Sequence, residues 1–245
     1  MKRPPTTEFT GFTPGALTFL RGLARHNEKP WFEARRDRYE GDVRAPLGAL
    51  VEEVDVRLAT IAPEIVGDPK RSLFRIHRDV RFSNDKRPYK TSAAAWFYHV
   101  DAGRGVGGAT TAHGGAGFYF DISPAAIEIG GGIWKPPRPT LLRLRDAIDE
   151  DHESLRAILD APARRRRFGP LAPTATLTRM PRGYAESHPA ADLLRHQSFT
   201  LGRTLVERDL FSARLPELLA ADFARLLPLV RWLNGALGLR EHSSR

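Results

Sequence analysis

Residues 117–123, GFYFDIS, and 126–130, AIEIG, alternate apolar and polar side chains on either side of Ser123 and Pro124. Successive side chains of a strand point to opposite faces. Phe118, Phe120, Ile122, Ile127 and Ile129 therefore share one face, and Tyr119, Asp121 and Glu128 the other. Ser-Pro is turn chemistry, so the two runs predict an antiparallel hairpin with one buried face. A chain built on such a unit must bring other elements to cover that face.

Further strands are expected around it. Segments 72–82, SLFRIHRDVRF, and 93–100, AAAWFYHV, read as earlier strands of one meander, and 197–201, QSFTL, as a later one. In 72–82, Phe74, Ile76, Val80 and Phe82 alternate with Arg75, His77, Asp79 and Arg81. Arg78 breaks the apolar side and predicts an end or bulge there.

Helices are expected at both ends. Thr13 and Pro14 open one, with Leu17, Leu20, Leu23 and Ala24 on its apolar side. Pro30 starts a second, carrying Trp31, Phe32, Arg35 and Tyr39, with Gly41 to stop it. A third begins near Pro46, where Leu47, Leu50, Val51, Val54 and Leu58 recur at helical spacing, and ends at Pro63. Helices resume at Pro139 and over 152–160. The tail, 216–237, bears an apolar seam from Leu218 to Leu237, which Pro228 is expected to kink or split. The expectation is a single α+β domain over 9–238. Its central antiparallel sheet is flanked by N-terminal and C-terminal helices, between flexible termini at 1–8 and 239–245. The Gly- and Thr-rich stretch 102–117 reads as a long loop.

Composition limits the function classes. The chain of 245 residues is 41% hydrophobic, with 13 Phe, 5 Tyr and 4 Trp, enough to exclude wholesale disorder. It has no cysteine, which excludes a disulfide framework, a thiolate metal site and a cysteine nucleophile. No metal is expected either, because the eight His show no His-x-x-x-His or His-Glu-x-x-His spacing. No Gly-x-Ser-x-Gly elbow occurs. Gly130–Gly132 leads through Trp134 and Lys135 to Pro136 without a phosphate-loop ending, and reads as close backbone packing. No cofactor is predicted. Met1, Lys2 and Arg3 are followed by Pro4, Pro5 and Glu8 rather than by the apolar run of a signal peptide. No window approaches the roughly 18 apolar residues of a membrane span. A soluble, cytoplasmic protein without a membrane partner is expected, its oligomeric state left open.

The net charge is +9, and 32 of the 38 basic residues are Arg. GC-rich coding produces such a bias, but so does selection for anionic partners. The bias is concentrated in one block. Lys70, Arg71, Arg75, Arg78, Arg81, Lys86, Arg87 and Lys90 face only Asp79 and Asp85 within residues 70–90. Guanidinium forks and ammonium groups suit phosphate or carboxylate, and Ser83, Asn84 and Asp85 are turn formers. The candidate ligand-binding residues are Arg75, His77, Arg78, Asp79, Arg81, Lys86, Tyr89 and Lys90. The polar side of the meander adds Tyr119, Asp121 and Glu128, an acid-base group suited to proton transfer or to gripping a polar ligand. Phe97 and Tyr119 hint at a covered cleft there. The competing reading is a scaffold of ion pairs in which Asp79 and Asp85 anchor the arginines.

Several stretches carry a resemblance: WFEARRDRY (31–39), RDVRFSNDKRPYK (78–90), FYFDIS with IEIGGGIWKPPRPTLLRLRDAI (118–148), and PRGYAESHPAADLLRHQSF (181–199). Together they resemble the bacterial proteins grouped as domain-of-unknown-function family 2461, from about Phe9 to Leu237. That resemblance implies no catalytic or cofactor residues. The favoured expectation is therefore a protein that binds a small anionic ligand at 75–90, with hydrolysis or transfer left open. The alternatives are a nucleic-acid binder that also uses Arg164–Arg167, and a protein-interaction scaffold.

Overall fold

The two alternating runs pair as the pattern requires. The computed structural model describes residues 8–81, 84–102, 114–173 and 176–243. Its strands are β1 (Ile65–Val66), β2 (Ala93–His99), β3 (Gly117–Ile122), β4 (Ile127–Ile133) and β5 (Phe199–Leu205). They form one sheet in the order β1-β2-β3-β4-β5, each neighbouring pair antiparallel. Glu128 lies opposite Asp121, and Tyr119 opposite both Trp96 and Gly130. The expected glycine packing is real. Gly132 has φ +129°, and a Cβ there would come within 1.9 Å of the Phe199 carbonyl oxygen.

Helices precede and follow the sheet. α1 (Pro14–Arg25), α2 (Lys29–Glu33) and α3 (Arg36–Arg38) lead through a π-helical turn, Tyr39–Arg44, into α4 (Ala45–Ile61). The helix expected from Pro30 breaks after Glu33, and Gly41 ends nothing, because it lies inside the π-helical turn that runs on into α4. Glycine costs only about 1 kcal/mol in a helix, and the turn around Gly41 buries Tyr39 and Val43. After β4 come α5 (Arg138–Glu150), α6 (His152–Asp160), α7 (Pro162–Phe168) and α8 (Ala191–Leu194). After β5 come α9 (Glu207–Leu210) and α10 (Leu215–Ala236). α10 is not split at Pro228, because Leu226, Leu227, Leu229 and Val230 are buried around it. No helix among the described residues is long and apolar enough to cross a membrane.

The covered face of the sheet is the apolar one. Phe223 of α10 stacks on Phe118 at 4.5 Å and leans on Phe97 at 5.4 Å. Phe97 thus belongs to this core and not to the polar side. α4 adds Leu50, Val51, Val54 and Leu58 to the same core. Arg203 reaches Asp222 of α10 at 2.6 Å, and Arg167 pairs with the same fully buried carboxylate. Part of the segment expected to be a flexible C-terminus is engaged. The His99 ring meets the Arg240 carbonyl at 2.9 Å, Glu241 pairs with Arg231 at 2.9 Å, and His242 with Asp101 at 2.8 Å. Residues 1–7 of the expected flexible start, Phe82, Ser83 and positions 103–113 of the expected loop lie outside the described residues.

Of the strand expected over 72–82, the described residues 72–81 form none. Residues 65–78 run antiparallel to 88–99 in separate short contacts: β1 on β2, Leu73 opposite Ala95, and His77 opposite Tyr89. The chain loops out between the first two, where Ser72 N–H donates to the Asp68 carbonyl and Asp68 N–H to Ser72 Oγ. Each contact resets the register, so a single alternation across 72–82 does not survive. The outcome is an irregular hairpin. At its root Arg78 N–H donates to Pro88 O at 2.9 Å and Lys90 N–H to Ile76 O at 2.8 Å.

Asn27 ties this root to the N-terminal helices. Its amide donates to the Tyr89 carbonyl and accepts from the Tyr89 N–H, both at 3.0 Å. Tyr89 is 2% exposed and stacks on Phe32 at 4.3 Å. Asn27→Ala leaves two buried backbone groups unpaired. It should destabilise the fold by about 2 kcal/mol or more, a Tm loss of roughly 5 °C or more at this chain length by thermal denaturation.

Candidate functional site

The basic block divides into groups that are held and groups that are not. At the hairpin tip Arg81 grips Asp79 at 2.7 Å, Arg87 grips Asp85 at 2.6 Å, and Arg78 pairs with the same Asp85. Lys86 donates its Nζ to the Val80 carbonyl at 3.0 Å. The hydrogen bond from Arg81 holds Asp79 down to about 2, and bonds from Arg87 and then Arg78 hold Asp85 well below the usual carboxylate range. The tip arginines are thus each held by a carboxylate within the loop, although two aspartates do not cancel the charge of three arginines and Lys86. Arg71 lies 3.9 Å from Asp68. Lys70, Arg75 and Lys90 make no ion pair among the described residues.

Arg75 and Lys90 flank the root, and Lys70 lies in the Asp68–Ser72 loop before it. Lys70 and Arg75 line a cleft of about 310 Å³ between residues 69–77 and the α2-to-α4 segment. Arg36, Tyr39, Arg44 and His77 share its walls. Arg36 is satisfied by Glu33 at 2.7 Å and Arg44 by Glu40 at 3.0 Å. His77 leans on the Tyr89 ring at 5.2 Å, which places it with the N-terminal helices and away from Tyr119, Asp121 and Glu128. Tyr89 itself is core, its phenol raised by burial.

Behind the cleft lies the polar face of the sheet. Ser92 lines the cleft and hydrogen bonds Asp121. Tyr119 donates its hydroxyl to Asp121 at 3.1 Å, and Phe74 meets the Tyr119 ring edge-on at 6.0 Å. The Lys90 ammonium stands over the Phe74 ring at 5.0 Å. Asp121 is 7% exposed. Burial raises its pKa, with Glu128 adding to the rise, while the bonds from Ser92 and Tyr119 and the Lys90 charge oppose it. Burial and then Asp121 push the Tyr119 phenol far up, so it acts as a hydrogen-bond donor. Burial, reinforced by Arg75, lowers Lys90, and Asp121 works against that. Glu128 is exposed beside the group.

Of the expected residues, the structure gathers Arg75, Lys90, Tyr119, Asp121 and Glu128 around the root. It turns the Arg78 side chain from the root toward Asp85, leaves Asp79, Arg81 and Lys86 at the tip, and puts Tyr89 in the core. Tyr39, named in the sequence with the second helix, is buried at the cleft wall, whereas Arg36 was not singled out, and the strand reading of 93–100 began one residue after Ser92. The signal for Arg36 is the helical spacing of 32, 36 and 39 beside 31, 35 and 38. In the alternative basic run, Arg165 meets Asp160 at 3.2 Å, Arg167 meets Asp222, and Arg164 donates to the Arg225 carbonyl. No group of three or more His, Asp or Glu among the described residues could hold a metal ion.

The family model described as a conserved hypothetical protein, DUF2461, matches residues 15–232. No curated protein and no solved structure matches the chain.

Asp121→Asn tests the electrostatics. A carboxyl whose folded pKa is raised contributes stability below its unfolded pKa and loses it as pH rises through the folded value. The asparagine keeps the Tyr119 bond without the buried charge. Its Tm should therefore exceed the wild-type value at pH 7–8, and the gap should close as pH falls below the ordinary carboxyl range of about 4.

Proposed function

The chain belongs to the DUF2461 family, and we propose that it binds a small ligand bearing phosphate or carboxylate in the cleft at the hairpin root. The observation that carries this reading is the division of the basic block. Its tip arginines are engaged by Asp79 and Asp85, whereas Lys70 and Arg75 pair with no carboxylate among the described residues and line a cleft whose carboxylate, Glu40, is held by Arg44. Unpaired cations at a concave surface favour an incoming anion, and a guanidinium adds a planar fork of donors. Lys90 adds to the local field. Ser92 joins the cleft to Asp121, whose raised proton affinity suits it to exchange a proton with a polar ligand.

Thermal-shift and calorimetric titrations with inorganic phosphate, sugar phosphates, nucleoside monophosphates and dicarboxylates test the reading. Ligand-dependent stabilisation of the wild-type chain is expected. Arg75→Gln with Lys70→Gln should weaken binding by about tenfold or more, since a hydrogen bond to a charged group contributes roughly 1.5–3 kcal/mol. Arg81→Gln should leave affinity unchanged. Equal affinity of the Arg75→Gln/Lys70→Gln variant and the wild type would sink the reading. So would binding confined to oligonucleotides with a steep salt slope.

A further inference from the structure

The segment 31–39 has a second side. Phe32, Arg36 and Tyr39 face the root cleft, while Trp31, Arg35 and Arg38 line a separate cleft of about 240 Å³ against α1, together with Arg25 and His26. We propose that this second cleft is an independent site for a compact phosphate group on a small ligand.

Three observations carry the proposal. Arg25, Arg35 and Arg38 make no ion pair among the described residues, so three guanidinium groups line one hollow without a carboxylate. By contrast Arg36, their neighbour on the other side of the segment, is held by Glu33 through both its Nε and Nη2. The hollow is also pre-shaped. The Arg35 guanidinium lies over the Trp31 ring at 4.6 Å, and His26 stacks on the same ring at 5.9 Å and 18°. Trp31 is itself seated on Gly22, where a Cβ would come within 2.8 Å of its Cζ2. A guanidinium held against an aromatic ring loses less freedom when it binds. Finally, the ring carries an imidazole and a guanidinium already, so the cleft presents nitrogen donors rather than a bare aromatic platform. That favours a phosphate group over the stacked bases of a single-stranded nucleic acid.

Titration with sodium pyrophosphate at constant ionic strength, followed by proton–nitrogen correlation spectra, tests this. The four tryptophan indole signals and the arginine Nε–H signals report separately. The Trp31 indole and the Arg25, Arg35 and Arg38 signals should shift saturably, and those of Trp96, Trp134 and Trp232 should not. Arg35→Gln with Arg38→Gln should abolish the Trp31 shift while the other three indole signals stay in place, which shows that the fold is kept. Arg75→Gln should leave the shift intact, separating this site from the root cleft. Gly22→Ala keeps every charge but displaces Trp31, and should weaken binding several-fold. The proposal is overturned by an unsaturated Trp31 response, by its loss in Arg75→Gln, or by full affinity in Gly22→Ala. It is also overturned if an oligonucleotide moves Trp31 with steep salt dependence and pyrophosphate does not.

Discussion

The side-chain amide of Asn27 supplies to Tyr89 the donor and acceptor that a neighbouring strand would otherwise give. Residue 89 stands where the regular sheet has ended and the hairpin begins, so its backbone has no strand partner on that side. Buried peptide groups must be paired, and the two bonds meet that demand from 62 residues away in sequence. They also set the angle at which the hairpin leaves the sheet. With Tyr89 stacked on Phe32, the segment 31–39 is fixed between α1 and the hairpin root, and a cleft forms on each of its sides.

An Arg-rich chain has more cations than carboxylates, so where the carboxylates are placed determines where positive charge remains. At the tip, two aspartates engage three arginines within one short loop. On the covered face, the fully buried Asp222 takes Arg203 and Arg167. These pairs restrain loops and helix ends more than they add stability, since exposed pairs contribute little and buried ones must first offset desolvation. What they leave is uneven. Cations that pair with no carboxylate among the described residues are found at both clefts beside 31–39, and the buried acid of the polar face, Asp121, lies next to one of them.

The meander was legible because its signal is local. Alternation in 117–130 follows from one covered and one uncovered face, and the β3 and β4 pairing has the side-chain assignment the pattern predicts. Helix starts at prolines were legible for the same reason. Segment 72–82 was misread because its partners change along its length, and no local period records a register that resets. Gly41 was misread because burial of Tyr39 and Val43 outweighs propensity, and of the two outcomes expected at Pro228 the split does not occur because the leucines around it are buried. At the candidate site, residue types were legible and pairings were not. Nothing in RDVRFSNDKRPYK states that Asp85 takes both Arg78 and Arg87, a fact that depends on the loop's path.

The polar face of the sheet gains its chemistry from what covers the opposite face. α4 and α10 bury the apolar side chains of β2 to β5 and hold the strands in fixed register. Asp121 therefore cannot move away from Tyr119, Ser92 and Glu128, which project from rigid strands or their ends. A carboxyl on a loop would turn to water and keep its ordinary pKa. Held at 7% exposure beside another acid, it is driven toward its protonated form. The hydrogen bonds from Ser92 and Tyr119 limit this drive most, and the charge of Lys90, on the hairpin root clamped by Asn27, adds to them. The proton affinity of Asp121 is therefore tied to the same anchor that shapes the cleft, so a change at Asn27 acts on both.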